Sequence, residues 1–357
     1  MDNRFNDTLL RALRREPAHH TPIWFMRQAG RSLPEYRAIK QNHTLLDICR
    51  DPELCAEVTL QPVRRLGVDA AILYADIILP LVAAGVDIEI VEGVGPVVAE
   101  PIREIADIDR LPLPQPEDLD FQIETIRILR RELSVPLIGF GGAPFTLASY
   151  LVEGRPSRDF VRTKTMMYAA PNVWEALMSR LGDIVASYLR IQANAGIQAF
   201  QLFDSWAGVL SPDDYIRFVQ PYSARVLVAV QYIGLPSIHF GTGTATLLTA
   251  MRDAGGDAIG VDWRIPLDVA WQTIGHDRAI QGNLDPAVVL GPWDVVERKA
   301  TAVLRRAVGR PGHIFNLGHG VLPQTDPDVL ARLVEFVHER TAATPVGEEE
   351  ARPDYAR

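Results

Sequence analysis

Ten polar residues fall at or soon after short apolar runs, where strand ends would present them: Arg27, Arg31, Asp76, Tyr150, Asp204, Ser205, Asp262, Asn283, Asp285 and His319. Arg27 and Arg31 flank Gln28-Ala29-Gly30, with Arg37 and Lys40 following in an expected helix. Guanidinium groups grip carboxylates bidentately and stay charged at any working pH, so this loop suits an anionic ligand. Surface arginines paired with nearby acids are the plainer alternative. Asp76 follows the run AAILY (70–74) and precedes Ile77-Ile78-Leu79. A carboxylate with so few polar neighbours can meet a cation or N–H donors, or can simply cap a loop. GFGGAPFTLASY (139–150) sets Tyr150 beyond a glycine-rich turn that has neither the lysine nor the spacing of a phosphate loop. His319 lies between two glycines after the last apolar run.

Several chemistries find no residues to carry them. Lys40, Lys164 and Lys299 are the only lysines, and none directly follows an apolar run, which leaves Schiff-base and pyridoxal chemistry poorly supported. Cys49 and Cys55 form no Cys-x-x-Cys pair and have no histidine at metal-ligand spacing. Neither HExxH nor a Gly-x-Ser-x-Gly elbow occurs. The expected site is therefore built of arginines, carboxylates, a tyrosine and a histidine, with no metal and no cofactor.

A rhythm of helix, glycine stop and short apolar run must position these residues. Asp51-Pro52 reads as an N-cap and first helical residue, Leu54, Val58 and Val63 form the stripe, and Gly67 ends it. The apolar runs PIWFM (22–26), AAILY (70–74), VPLIGF (135–140), IQAFQLF (197–203), PSIHF (236–240), DAIGV (257–261), RAIQG (278–282) and HIFNL (313–317) supply eight expected strands. Eight such units predict an α/β fold, a single (β/α)8 TIM-type barrel over 1–340. An open doubly wound sheet is the competitor, but RQAGR after the first run lacks its glycine fingerprint. GVDIEIVEGVGPVVAEPI (85–102) alternates around a glycine turn and predicts a β-hairpin inserted after the second strand. Residues 341–357 are expected to form a disordered acidic tail.

Of the 357 residues, 47% are hydrophobic and 23% charged, which excludes collagen-like and wholly disordered chains. The net charge of −9 disfavours a nucleic-acid partner. Charge is uneven, however. Residues 1–50 hold nine Arg/Lys against five Asp/Glu, so the segment bearing Arg27 and Arg31 is a basic element in an acidic chain. No apolar h-region opens the sequence, and the two unpaired cysteines suit a cytoplasmic protein. Val226–Met251 carries no Asp, Glu, Lys or Arg, but its Gln231, Pro236, His239 and GTG argue for buried core rather than a membrane span.

PIWFMRQAGRSLPEYR (22–37) and GFGGAPFTLASYLVEG (139–154) resemble the two signature segments of the uroporphyrinogen decarboxylase family. QLFDSWAG (201–208), HFGTGT (239–244), GVDWR (260–264), QGNLDP (281–286) and NLGHG (316–320) resemble the family too, in its order. The resemblance covers nearly the whole chain and implies a cytoplasmic homodimer that converts the four acetates of uroporphyrinogen III to methyls, giving coproporphyrinogen III and CO2 without cofactor or metal. It implies that Arg27 and Arg31 bind substrate carboxylates and that Asp76 holds the pyrrole N–H groups. Phe203 would pack on the macrocycle, while Tyr150, Ser205 and His319 would contact further carboxylates. The chemistry is consistent. Loss of CO2 needs an electron sink, and without a Schiff base or metal the sink is a ring-protonated pyrrole, whose positive charge Asp76 could stabilise. The proton donor stays open among Arg27, Tyr150, His319 and water. A related barrel methyltransferase acting on corrinoid or thiol substrates, and a tetrapyrrole-binding protein without catalysis, are the alternatives.

Overall fold

The computed structural model describes residues 5–91 and 93–342. Nine strands occur: β1 (Ala71–Ile72), β2 (Ile88–Val91), β3 (Gly95–Val98), β4 (Leu137–Gly142), β5 (Ala199–Asp204), β6 (Ser237–Gly241), β7 (Ala258–Gly260), β8 (Ala279–Gln281) and β9 (His313–Ile314). Seven form one parallel sheet in the order β1-β4-β5-β6-β7-β8-β9, each beside its successor in the chain, with helices between them. These strands are buried along their length except at half-buried Phe203 in β5. Burial on both faces is why they read as continuous apolar runs rather than as alternations. The result is an α/β fold with a curled seven-stranded parallel sheet, consistent with a TIM-type barrel.

The run at 22–26 departs from expectation. Only Ile23 forms a bridge, to Phe315, and no strand is formed there. Its backbone groups are nonetheless satisfied on both sides. The Asp69 N–H donates to the Ile23 carbonyl at 2.9 Å, and the Trp24 N–H reaches the Phe315 carbonyl at 3.4 Å. Side chains replace the rest of a ladder: Gln28 Oε1 accepts the Phe25 N–H at 2.9 Å and Asn316 Oδ1 accepts that of Met26 at 3.2 Å. The segment therefore spans the gap between β9 and β1 without regular pairing.

The helical stops fall where the sequence puts them. Asp51 Oδ1 accepts the Leu54 N–H at the start of the helix Pro52–Leu66, and Gly67 closes it at φ +70°. The longest helix, Pro171–Ala195, buries Trp174, Leu177, Leu181, Val185 and Tyr188 on one stripe. No helix among the described residues is long and apolar enough to cross a membrane, and Val226–Met251 divides between a helix, β6 and a second helix. β2 and β3 pair antiparallel, Ile88 opposite Val98 and Val91 opposite Gly95, within the segment 85–102. Of the tail expected over 341–357, Thr341 ends the last helix, Pro327–Thr341, and 343–357 lies outside the described residues.

A polar chain crosses the interior of the sheet. Trp24 Nε1 donates to Gln281 Oε1 at 3.0 Å, and Gln281 Nε2 donates to Gln201 Oε1 at 3.0 Å, with all three residues buried. Gln281→Leu would leave two buried polar groups unpaired, each costing about 1–3 kcal/mol. We expect it to lower unfolding free energy in urea by about 2–5 kcal/mol, while an isosteric Gln281→Glu at low pH should lose less.

Candidate active site

Arg27, Arg31, Asp76, Tyr150, Phe203, Ser205 and His319 all line one cavity of about 330 Å³. They come from five stretches at or beyond strand C-terminal ends, the two arginines lying beyond the 22–26 segment. Asp76 follows β1, Tyr150 sits on the helix Pro144–Glu153 after β4, Phe203 and Ser205 belong to the end of β5, and His319 follows β9. Residues distant in sequence thus meet because parallel strands all deliver their C-terminal ends to the same face.

Local backbone chemistry explains how the arginine loop is held. Buried Gln28 donates its Nε2 to the Ala70 carbonyl at 2.8 Å while its Oε1 holds the Phe25 N–H, tying the loop to the start of β1. Arg27 itself adopts a left-handed backbone at φ +62°, which turns its side chain toward the mouth. That side chain runs directly over Gly320: a Cβ there would lie 2.7 Å from Arg27 Cγ. The glycine after His319 is therefore a space requirement of the arginine. Gly142 leaves room for the backbone just after Asp76. Its N–H bonds the Ile77 carbonyl at 3.2 Å, and a Cβ would sit 2.9 Å from that oxygen.

The electrostatics are coupled. Burial, then repulsion from Arg31, lowers the Arg27 pKa, with Asp76 and Tyr150 pulling the other way. Burial raises that of Asp76, against the Ile78 N–H (3.1 Å to Oδ1) and the two guanidinium groups. Burial and Asp76 raise the Tyr150 phenol, so it stays protonated. His319 is pushed down to about 4 by burial and by Arg27, leaving it neutral at pH 7. Two guanidinium groups thus face one carboxylate in a partly dry cavity, a site short of negative charge.

Opposite these groups is an aromatic floor. Phe203 meets Phe140 and Phe240 edge-on at 5.4 and 5.8 Å, and the Tyr150 ring packs on Trp206 at 4.3 Å. Ile90, Gly95 and Pro96 of β2 and β3 line the opening. The arrangement suits a ligand with a flat apolar body and several carboxylates.

Four of the ten sequence candidates do not line the cavity. Strand alternation turns Asp204 away from Phe203 toward His239 (3.7 Å) and Tyr215 (3.5 Å). Asp262 accepts the Gly243 N–H at 2.6 Å and pairs with Arg264. Asn283 donates to the Asp262 and Ile265 carbonyls, and Asp285 caps the Ala287 N–H at 2.9 Å. These residues shape loops. Conversely, Tyr36 and Tyr74, whose hydroxyls lie 2.8 Å apart, line the cavity and were not distinguishable from core residues in the sequence. Both phenols are raised by burial.

The family model for uroporphyrinogen decarboxylase matches residues 4–340. This chain belongs to the uroporphyrinogen decarboxylase family. It is 57% identical over 334 residues to the uroporphyrinogen decarboxylase of Salinispora tropica, covering 93% of this chain and 90% of the relative. It is also 57% identical over 338 residues to that of Streptomyces griseus, covering 94% and 93%. Among solved structures, a methyltransferase from Methanosarcina mazei superposes with a TM-score of 0.77 at 20% identity, covering 94% of this chain and 99% of that one. A Shewanella B12-independent methionine synthase gives 0.57 at 12% identity, covering 84% and 90%. At those identities the likeness is one of fold alone.

Carboxylates entering this cavity would relieve the Arg27–Arg31 repulsion and favour protonated His319. NMR of the free protein should show the His319 ring titrating near pH 4, and a bound tetrapyrrole polycarboxylate should move that titration upward by about one unit. Gly320→Ala should displace Arg27 and weaken polycarboxylate binding about tenfold or more, with the circular dichroism spectrum unchanged.

Proposed function

We propose that the protein removes CO2 from the four acetate side chains of uroporphyrinogen III, giving coproporphyrinogen III for haem and related tetrapyrroles. The meeting of Arg27, Arg31 and Asp76 in one cavity with an aromatic floor carries this reading. The proposal includes a closed (β/α)8 barrel over 1–340 in which the 22–26 segment, without regular pairing, fills the place of a first strand and β2–β3 is an insertion. It also includes a cytoplasmic homodimer acting without cofactor, metal, nucleic acid or membrane.

In this reading Arg27 and Arg31 hold acetate and propionate carboxylates, and Ser205, Tyr150 and His319 receive others. Phe203 packs against the macrocycle, and Asp76 accepts the pyrrole N–H groups. Protonation of a pyrrole carbon makes the ring an iminium-like cation. The C–C bond to the carboxylate then breaks, its electron pair flows into the ring, and CO2 leaves. A second proton transfer to the exocyclic carbon forms the methyl group as the ring proton is returned, so each acetate takes up one proton net. Asp76 stabilises the cation as it forms, and burial strengthens that interaction relative to water. The arginines must hold the reacting carboxylate without favouring it over its transition state.

Among the donor candidates, neutral His319 carries little imidazolium at pH 7, and the Tyr150 phenol is made less acidic by its surroundings. Arg27 is shifted the other way, toward easier proton loss. The methyltransferase alternative finds less support, since Cys49 and Cys55 do not line the cavity. Their thiols point to the Tyr74 carbonyl at 3.9 and 3.2 Å, and burial pushes Cys55 up to about 12, far from a ready zinc thiolate.

Conversion of uroporphyrinogen to coproporphyrinogen, followed by chromatography of the oxidised porphyrins, is the direct assay. Asp76→Asn should cut turnover about a hundredfold or more while substrate still binds; turnover near the wild-type rate would sink the assigned role. Because the fold raises the Asp76 pKa, the ionised form is disfavoured there, and the contribution of this group to stability falls as pH rises above its unfolded value near 3.8. Asp76→Asn should therefore be at least as heat-stable as the wild type at pH 7. Arg27→Ala should raise KM and lower kcat together.

A further inference from the structure

A second cluster lies at the other end of the sheet. Asp69 immediately precedes β1, His20 precedes the 22–26 segment, and His338 sits in the last turns of the helix Pro327–Thr341. His20 Nε2 is 3.0 Å from Asp69 Oδ1, and His338 Nε2 is 2.8 Å from Oδ2. One ligand atom from each residue lies within 4.8 Å of the other two, and the imidazole rings are 4.0 Å apart. We propose that His20, Asp69 and His338 form a binding site for one zinc ion at the N-terminal ends of the strands.

Four observations support the assignment. Two imidazoles and a carboxylate are a donor set that zinc takes readily, and three protein ligands leave a position for water. The carboxylate is already oriented from behind: Asn6 Nδ2 donates to Oδ1 and the Ile23 N–H to Oδ2, each at 2.8 Å, as outer-shell partners do. Asp69 is buried, whereas the two imidazoles remain partly open to solvent. An entry path exists, because a cavity of about 600 Å³ on this face reaches His20, and the nearby Arg340 is paired with Glu297 at 3.3 Å. Bonds of about 2.0–2.1 Å in a tetrahedron need ligand atoms roughly 3.3 Å apart; the two histidines now meet different oxygens of the carboxylate, at 3.0 Å (Oδ1) and 2.8 Å (Oδ2), so side-chain shifts of about half an ångström would admit the ion.

Binding would use the Nε2 lone pairs, so a ring proton on either histidine would sit on Nδ1. The ion would then bridge segments 49 and 269 residues away from Asp69 along the chain. Because site and active cavity occupy opposite ends of the strands, zinc content alone carries no information about the chemistry at Arg27.

The test uses the full-length protein, stripped with chelator and dialysed against micromolar zinc. The wild type should retain one zinc per chain, melt at a higher temperature with zinc than without, and show tetrahedral visible absorption with Co2+. His20→Ala should weaken zinc affinity by about a hundredfold or more, and Asn6→Ala by about tenfold, both with decarboxylase activity retained. His338→Gln serves as a second ligand variant, but the conclusion does not depend on its folding. Absence of retained zinc in the wild type would overturn the proposal, leaving two Nε2–H donors on a carboxylate. Equal retention by His20→Ala would overturn it as well, placing the ion elsewhere.

Discussion

Two guanidinium groups held side by side without an anion repel each other, and burial makes the repulsion stronger. The scaffold around Arg27 and Arg31 exists to impose that arrangement. Gln28 clamps the loop to the start of β1, Gly320 leaves room for the Arg27 stem, and Arg27 accepts a left-handed backbone that costs a non-glycine residue about 1–2 kcal/mol. Asp76 relieves part of the repulsion, yet its own ionised form is disfavoured by burial. The free site is therefore a preorganised, unfavourable charge distribution. Binding a polycarboxylate lowers its energy, and so does a positive charge developing beside Asp76.

The −9 net charge is a statement about the surface as a whole, whereas the ligand meets a few groups in one cleft. Screening cuts off exposed charges within about 10 Å, so distant acidic surface has little influence on two arginines at one cleft. The aromatic floor adds a second form of discrimination. Phe203 and Phe140 offer flat apolar surface but no hydrogen bonds, which favours a macrocycle over a small dicarboxylate.

The two ends of the sheet divide the work. At the C-terminal ends the loops carry strained backbone and like charges for the sake of binding. At the N-terminal ends Asp69 collects four hydrogen bonds, from Asn6, His20, Ile23 and His338, and so ties the first segment, β1 and the last helix together. Because 22–26 forms no regular strand, this carboxylate supplies pairing that a ladder would otherwise provide. Buried His313, with its pKa down to about 4, belongs to the same end and makes it sensitive to acid.

Much of the fold was legible because its signals are local. Gly67, Gly196 and Gly234 end helices by their own conformational freedom, and a doubly buried strand must be a short apolar run. The meeting of Arg27, Arg31, Asp76, Tyr150 and His319 in one cavity was approachable because parallel strands place their following residues on one face. Side-chain direction was not. Asp204 and Phe203 are neighbours in sequence, and only strand alternation sends one to the cavity and the other to His239. Asp262, Asn283 and Asp285 carry the same residue types as site residues but are consumed by loop hydrogen bonds, a distinction set by how neighbouring loops pack. Tyr36 and Tyr74 become a cavity pair, and His20, Asp69 and His338 a cluster, only when distant segments pack. Residue type and local spacing determined which chemistry this chain could do; the tertiary structure decided which side chains do it, because proximity across the sheet is written in no single stretch of sequence.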